Sequence, residues 1–178
     1  MTDPHHGWSR RIAIEDVPEE GLHVELAADS AVRAALARTA GLRDLPRLDA
    51  RFDLQRKGRE RLHVTGEISG ELVQDCIITL EPIIQNLLER VDLVFVPEVP
   101  HALADGEGEA SFGLTDAEPP EPLVGGAVDL GAIATEYFLL GIDPYPRKEG
   151  AVFETASAGT AGANPFAALA ALKKPPLG

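Results

Sequence analysis

Strict alternation of apolar and polar residues in two neighbouring segments constrains this fold most. Apolar residues occupy every even position from 48 to 54, and residues 61–68 repeat this period of two. Such a period gives a strand one dry face and one wet face. Because Lys57 and Gly58 lie between the segments, the pattern predicts an antiparallel hairpin. Its outer face is charged and allows cross-strand pairs such as Arg51 with Glu67.

The remaining patterns predict further strands and helices around this hairpin. Asp29 or Ser30 suits an N-cap and Gly41 a helix end, while Asp129 suits the N-cap of a second helix. The predicted strands are 10–17, 22–26, 71–80 and 83–96, and the predicted helices are 31–40, one from Asp129 to about Gly141, and a short one at Asn164. We expect an α+β fold, mainly an antiparallel sheet with two or three flanking helices. An open sheet and a barrel-like closure both remain compatible with these patterns.

One segment differs in composition from the rest. Residues 97–127 contain seven acidic residues, five prolines, five glycines and no lysine or arginine. Such a segment buries too little apolar surface to offset its ordering entropy, so we expect a mobile acidic insertion. The chain then divides into one β-rich domain, residues 10–153, and a flexible tail, residues 154–178, with a short terminal helix.

The charge is uneven along the chain. The formal net charge of −13 opposes non-specific attraction to nucleic acid or to anionic membranes. A basic segment nevertheless supplies nine candidate RNA-binding residues: Arg33, Arg38, Arg43, Arg47, Arg51, Arg56, Lys57, Arg59 and Arg61. Arginines on the helix and on the outer face of the hairpin could form one phosphate-binding patch. Because Asp49 and Asp53 interrupt them, a solvated mixed-charge face is the alternative.

No catalytic or metal-binding motif stands out. The only cysteine, Cys76, excludes an internal disulfide and a multi-cysteine zinc site, and the glycines match no nucleotide-binding motif. No apolar stretch approaches the roughly 20 residues of a membrane span, and the N-terminus lacks a signal-peptide core. We expect a cytoplasmic, non-enzymatic binding protein without cofactor, metal, membrane partner or small-molecule substrate.

Three short segments carry a resemblance to a known family. They are Val73–Pro82 with the apolar stretch up to Glu98, Val128–Gly131 leading into a helix and a proline-rich turn, and Asn164–Phe166 before a short helix. In this order they resemble the YceD-like family, the large ribosomal RNA subunit accumulation proteins. The matching motif residues are Cys76, Leu80, Pro82, Asp129, Leu130 and Glu136. Many members have a second cysteine where this chain has Thr79, so a four-thiolate metal site is not available here. Cys76 falls in phase with Leu72 and Ile78, so we interpret it as a buried apolar thiol.

The resemblance implies a bacterial role in accumulation or processing of 23S rRNA. The partners that it implies are large-subunit precursor rRNA, a basic ribosomal protein, or both. An adaptor or chaperone-like module unrelated to ribosomes is the first alternative. An enzyme with an unfamiliar site is the second, and it would require a buried histidine or carboxylate with a strongly perturbed pKa.

Overall fold

The fold is that of a computed structural model, which describes residues 8–58, 61–97 and 120–153. Its elements, in chain order, are β1 (Arg11–Ala13), β2 (Leu22–Ala27), α1 (Ser30–Ala40), β3 (Asp44–Lys57), β4 (Arg61–Asp75), β5 (Pro82–Pro97), β6 (Glu121–Leu123), β7 (Ala127–Asp129) and α2 (Leu130–Gly141). Short 3₁₀ turns follow β1 and β6. The third predicted helix, at Asn164, lies outside the described residues.

A five-stranded sheet with the order β2-β3-β4-β5-β6 dominates the fold. Neighbours from β2 to β5 are antiparallel, whereas β6 runs parallel to the end of β5; β1 and β7 form a separate antiparallel pair. The predicted α+β class is therefore confirmed, with a mixed sheet and two helices. Within the described residues the sheet begins at β2 and ends at β6, so it does not close into a barrel.

The predicted hairpin is the centre of this sheet. Arg51 lies opposite Glu67 in the register of β3 and β4, as the alternation predicts. The even-numbered side chains form the inner face, where Phe52, Leu54 and Val64 are fully buried. Burial of each large apolar side chain contributes about 1.5–3 kcal/mol, so this face drives the folding of the sheet.

Both helices pack against the inner face and have the predicted caps. Asp29 accepts a hydrogen bond from the Val32 amide, and Gly41 ends α1 in the left-handed conformation. In α2, Phe138 is completely buried in the core. A Cβ atom on Gly131 would lie 2.3 Å from the Trp8 carbonyl oxygen, so only glycine allows this close approach.

Three predicted boundaries are wrong. Residues 61–75 form one strand that continues through Gly70, and residues 76–80 form a turn where a strand was predicted. A Cβ atom at Gly70 would lie 3.5 Å from the Leu48 side chain and 3.7 Å from the Phe138 side chain, so this glycine lies at a closely packed point inside β4. The predicted strand 10–17 shrinks to Arg11–Ala13.

The third wrong boundary is the end of the acidic insertion. Residues 98–119 lie outside the described part, but β6 and the first residue of β7, Ala127, fall inside the predicted insertion. Leu123 is buried and pairs with Pro97 of β5. Strand pairing and packing therefore offset the ordering entropy at this end of the segment.

Candidate functional site

Charged side chains in the middle of the outer face neutralise one another. Glu67 on β4 lies between Arg51 of β3 and Arg90 of β5, with N–O distances of 3.5 Å and 3.7 Å. Glu25 of β2 lies opposite Arg51 in the register. The charges in this row, on Glu25, Arg51, Glu67 and Arg90, therefore alternate in sign across the four strands from β2 to β5. Arg90 was missed as a candidate because it lies outside the basic segment of the sequence.

Two further candidate arginines also have carboxylate partners. Arg47 Nη1 contacts Asp49 Oδ2 at 2.8 Å and donates to Ser69 Oγ at 3.1 Å. Arg43 Nη1 lies 2.7 Å from Asp75 Oδ1 at the far end of β4. These ion pairs are solvent-exposed, so each contributes little to stability, but each cation is locally neutralised.

The candidate arginines of α1 lie apart from those of the outer face. Arg33 donates to the carbonyl oxygens of Leu45, at 3.1 Å, and Ala28, at 2.5 Å, and thereby connects the helix to its flanking segments. Arg38 is exposed in the last turn of α1. Since α1 packs on the inner face, the structure distributes the candidates over both sides of the sheet. RNA contact by these residues stays a prediction.

The remaining candidates concentrate at the end of the β3–β4 hairpin. We define the hairpin tip as Arg56, Lys57, Gly58 and Arg61; Arg59 lies outside the described residues. Lys57 and Arg61 are opposite each other in the last pair of the ladder. The Lys57 ammonium donates to Gln55 Oε1 at 3.2 Å, and within the described residues no carboxylate pairs with a cation of the tip.

The ladder pairing on both sides of the hairpin ends before the tip. The pairing of β2 with β3 stops at Leu54, and that of β5 with β4 stops at Leu62. Among the described residues, residues 55–57 and Arg61 therefore pair only with each other's strand. The hairpin tip is a local concentration of positive charge that no described carboxylate neutralises, on an otherwise acidic chain.

The two histidines of the sheet lie on the outer face with carboxylate partners. His23 Nδ1 lies 2.8 Å from Asp53 Oδ1, and the hydrogen bonds that the ring donates to Asp53 and then to Glu25 raise the pKa of His23. His63 Nε2 lies 2.6 Å from Asp92 Oδ1. Cys76 follows the far end of β4, roughly 40 Å along the strand from His63. The described residues therefore contain no cysteine–histidine pair.

Cys76 opens a tight turn at the opposite end of β4 from the hairpin tip. We define the Cys76 turn as residues 76–81. The Cys76 Sγ atom accepts backbone N–H groups from Ile78 at 3.4 Å, Thr79 at 3.4 Å and Lys148 at 3.3 Å. These bonds, that from Lys148 foremost, lower the thiol pKa to about 6. The predicted burial of Cys76 is confirmed, but its predicted apolar environment is wrong.

The turn continues with the motif residues Leu80 and Pro82. Leu80 adopts φ of 58°, the left-handed region that glycine favours, and its side chain is exposed. Pro82 begins β5. Lys148 Nζ lies 2.7 Å from Glu81 Oε2, which attaches the segment after α2 to the turn.

Two of the three motif residues at α2, Asp129 and Leu130, have structural roles. Asp129 accepts hydrogen bonds from the amides of Gly131 and Arg10, each at 3.0 Å, and from the Ser9 hydroxyl. Burial acts to raise the pKa of Asp129, but these hydrogen bonds outweigh it and hold the pKa below its ordinary value. Leu130 is fully buried, and Glu136 is exposed.

The geometry defines a small α+β sheet protein with two contrasting surfaces, the hairpin tip and the Cys76 turn. Within the described residues, no three side chains are grouped to hold a metal ion, and no helix is long and apolar enough to cross a membrane. The family model described as large ribosomal RNA subunit accumulation protein YceD matches residues 64–173. The chain therefore belongs to the YceD family. No curated protein and no solved structure matches it.

Proposed function

We propose that this chain is a non-enzymatic, cytoplasmic ribosome-biogenesis factor. It supports accumulation of 23S rRNA and assembly of the large subunit by binding precursor rRNA, a basic ribosomal protein, or both. Membership of the YceD family supports the connection with large-subunit RNA. The proposal assigns RNA contact to the hairpin tip rather than to all nine basic candidates.

The like-charge pair at the hairpin tip carries this assignment. Lys57 and Arg61 are direct partners in the β3–β4 ladder, and like charges in this position are unfavourable. A phosphate between them would remove the repulsion and release counterions from the RNA. Arg43, Arg47 and Arg51 already have carboxylate neighbours, which a phosphate would have to displace.

The net negative charge of the chain limits the affinity that it can have for RNA. At −13 the chain repels a polyanion over most of its surface, so contact through one small tip should be weak and salt-sensitive. The same charge attracts a basic protein and raises the rate of encounter with it. RNA and protein together therefore fit this chain better than RNA alone.

The test compares two triple variants with the same change of charge. One carries Arg56→Gln, Lys57→Gln and Arg61→Gln at the hairpin tip; the control carries Arg43→Gln, Arg47→Gln and Arg51→Gln at the paired sites. Binding to a 23S precursor fragment is measured by filter binding over a range of salt concentrations. We expect the tip variant to reduce the slope of log affinity against log salt by about 2–3, since each phosphate contact contributes about 0.7–0.9.

The control variant should retain most of the slope of the unmodified chain. Equal losses in both variants would show that only net charge matters. Absence of binding by the unmodified chain at low salt would contradict direct RNA contact. Thermal unfolding of all three proteins shows whether the folds remain comparable.

A second candidate function is a protein–protein adaptor or chaperone-like module unrelated to ribosomes. Two exposed aliphatic side chains of β5 favour this function: Ile84 and Leu88 lie on the outer face of the sheet. Exposed aliphatic side chains are suited to a protein partner. Crosslinking in growing cells, with RNA and protein partners both identified, separates the candidates. Partners that include no large-subunit RNA or ribosomal protein would favour the adaptor.

A further inference from the structure

A pocket lies beside the Cys76 turn, at the opposite end of β4 from the hairpin tip. Its volume is about 420 Å³. It opens between the end of α1, the end of β4 and the turn after α2, and its walls include Gly41, Gln74, Ile77, Asp143 and Pro146. The sequence alone does not predict this pocket, because its walls come from three distant segments.

Gln74 is a polar residue in an unusual position within this pocket. It is only 9% exposed, and its Nε2 donates to the Asp143 carbonyl oxygen at 2.9 Å. That bond fixes the orientation of the amide group. The Oε1 atom is buried and has no hydrogen-bond partner among the residues that the structure describes. Since a buried acceptor without a donor is unfavourable, this atom identifies a place where a ligand with N–H groups gains an interaction.

The charge of the pocket selects the kind of donor. Asp75 and Asp143 line it, and no lysine or arginine is among its described lining residues. Arg43 reaches Asp75 from outside, but both carboxylate residues remain exposed. The other walls are mainly apolar, including Ile77, Leu139 and Pro146. An arginine side chain matches this combination, because it has an apolar stem and a planar head with five N–H donors.

The rim of the pocket indicates what surrounds that arginine. Ile77 is 44% exposed and lines the pocket, and two large side chains nearby in sequence, Leu80 and Tyr145, are 74% and 69% exposed. Such a grouping of exposed apolar side chains is typical of contact with a protein. The Ile77 amide donates to the Pro146 carbonyl oxygen at 3.0 Å, which holds the two sides of the rim together.

We propose that this pocket binds an arginine side chain from a basic, partly apolar segment of a protein partner. The guanidinium head lies against Asp143 and Asp75 and donates towards Gln74, and the flanking apolar residues contact Ile77. The choice of a basic partner rests on the proposed function, but the site is separate from the hairpin tip. The net charge of −13 favours capture of such a segment.

The probe is an acetylated, amidated peptide of alternating leucine and arginine. Its matched control replaces each arginine by citrulline, which keeps the shape and removes the charge. Both are titrated into the isotopically labelled full chain, and amide NMR shifts are followed. We expect the arginine peptide to shift the Gln74 side-chain amide and the Gly41 amide, and the citrulline peptide to bind at least about tenfold more weakly, as loss of a charge-assisted hydrogen bond implies.

A pair of variants tests the site itself. Asp143→Asn keeps an acceptor for the Tyr145 amide but removes the charge, and should weaken the arginine peptide about tenfold. Asp92→Asn makes the same charge change on the outer face and should leave the affinity unaltered. Equal binding by Asp143→Asn, equal binding of the citrulline peptide, or no shift at Gln74 and Gly41 with millimolar peptide would overturn the proposal.

The outcome is independent of RNA binding. The hairpin-tip variant should lose RNA affinity and keep its peptide affinity. A gain in peptide affinity in this variant, which is more acidic than the unmodified chain, would mean that the peptide senses only the overall charge, and would overturn the pocket. If the unmodified chain binds no precursor RNA but meets the peptide expectations, the proposed RNA contact fails and the arginine pocket stands.

Discussion

The two ends of β4 differ in nearly every physical property. The strand is 15 residues long, so its ends lie about 46 Å apart at a rise of about 3.3 Å per residue. One end is the hairpin tip, whose cations have no carboxylate partner among the described residues and which turns through Gly58 with φ of 75°. The other is the Cys76 turn, with a buried thiol, an ion pair and exposed apolar side chains. A single strand thus separates a surface suited to phosphates from one suited to protein.

The two ends also differ in how they are held. Strand pairing within the hairpin supports the tip, and the pairing with β2 and β5 ends before it. The Cys76 turn is held by three N–H groups on one sulfur and by Lys148 and Pro146 from a distant segment. A tip with little support can adapt to an RNA surface. A cross-connected turn keeps the walls of a pocket in place, as a specific binding site requires.

The largest expected effect is that of Cys76→Ala. It leaves three N–H groups without their acceptor and opens a small cavity, so we expect the melting temperature to fall by on the order of 10 °C. Arg61→Ala at the hairpin tip should change it by about 2 °C or less, since exposed sites have small effects. Scanning calorimetry of both variants measures the contrast. Similar losses would show that the two ends are held equally firmly.

The second expected effect is a pH dependence of stability that arises at the Cys76 turn and not at the hairpin tip. The pKa of Cys76 is about 6 in the folded protein, against an ordinary value of 9.0. Between these values the unfolded chain binds more protons, so this contribution to stability rises with pH and is lost as the pH falls through about 6. Urea unfolding should show this rise for the unmodified chain, and Cys76→Ser should lack it. If the stability of Cys76→Ser rose with pH in the same way as that of the unmodified chain, the lowered pKa of Cys76 would be contradicted.

The third comparison concerns the two turns, which use different residues in the left-handed conformation. Leu80→Gly should stabilise the protein by about 0.5–1 kcal/mol, because glycine relieves the backbone strain and the lost side chain is exposed. Gly58→Ala should destabilise the hairpin by about 1 kcal/mol for the opposite reason. Chemical denaturation resolves both changes. Destabilisation by Leu80→Gly would show that the Leu80 side chain has a stabilising contact.

The smallest effect lies between the two ends, on the outer face. Hydrogen bonds from the His23 ring to Asp53 and Glu25 raise the pKa of His23 above 6.5, so its contribution to stability is lost as the pH rises through the raised value. Asp53→Asn should move the pKa back towards the ordinary value, and NMR titration of the ring protons reports it. Asp92→Asn, beside His63, is the control and should leave His23 unchanged. An unaltered His23 pKa in Asp53→Asn would exclude the Asp53 contact in solution.

The candidate site could be predicted only in part. The basic residues of the hairpin tip were among the nine candidates, because charge is visible in the sequence. The sequence did not show which arginines are neutralised. Arg43 pairs with Asp75, which is 32 positions away, and Arg51 comes opposite Glu67 only after the hairpin forms. Cys76 appeared to be an apolar thiol because one of its donors, Lys148, lies 72 residues away.

Local patterns in the sequence by themselves determined the strands of the hairpin, their register, and both helices with their caps. The reason is that alternation and capping act between residues a few positions apart. Tertiary structure decided where β4 ends, that residues 121–129 are ordered, and which charges stay unpaired. It also built the pocket at Gln74, because that pocket requires three segments brought together by burial of the inner face of the sheet.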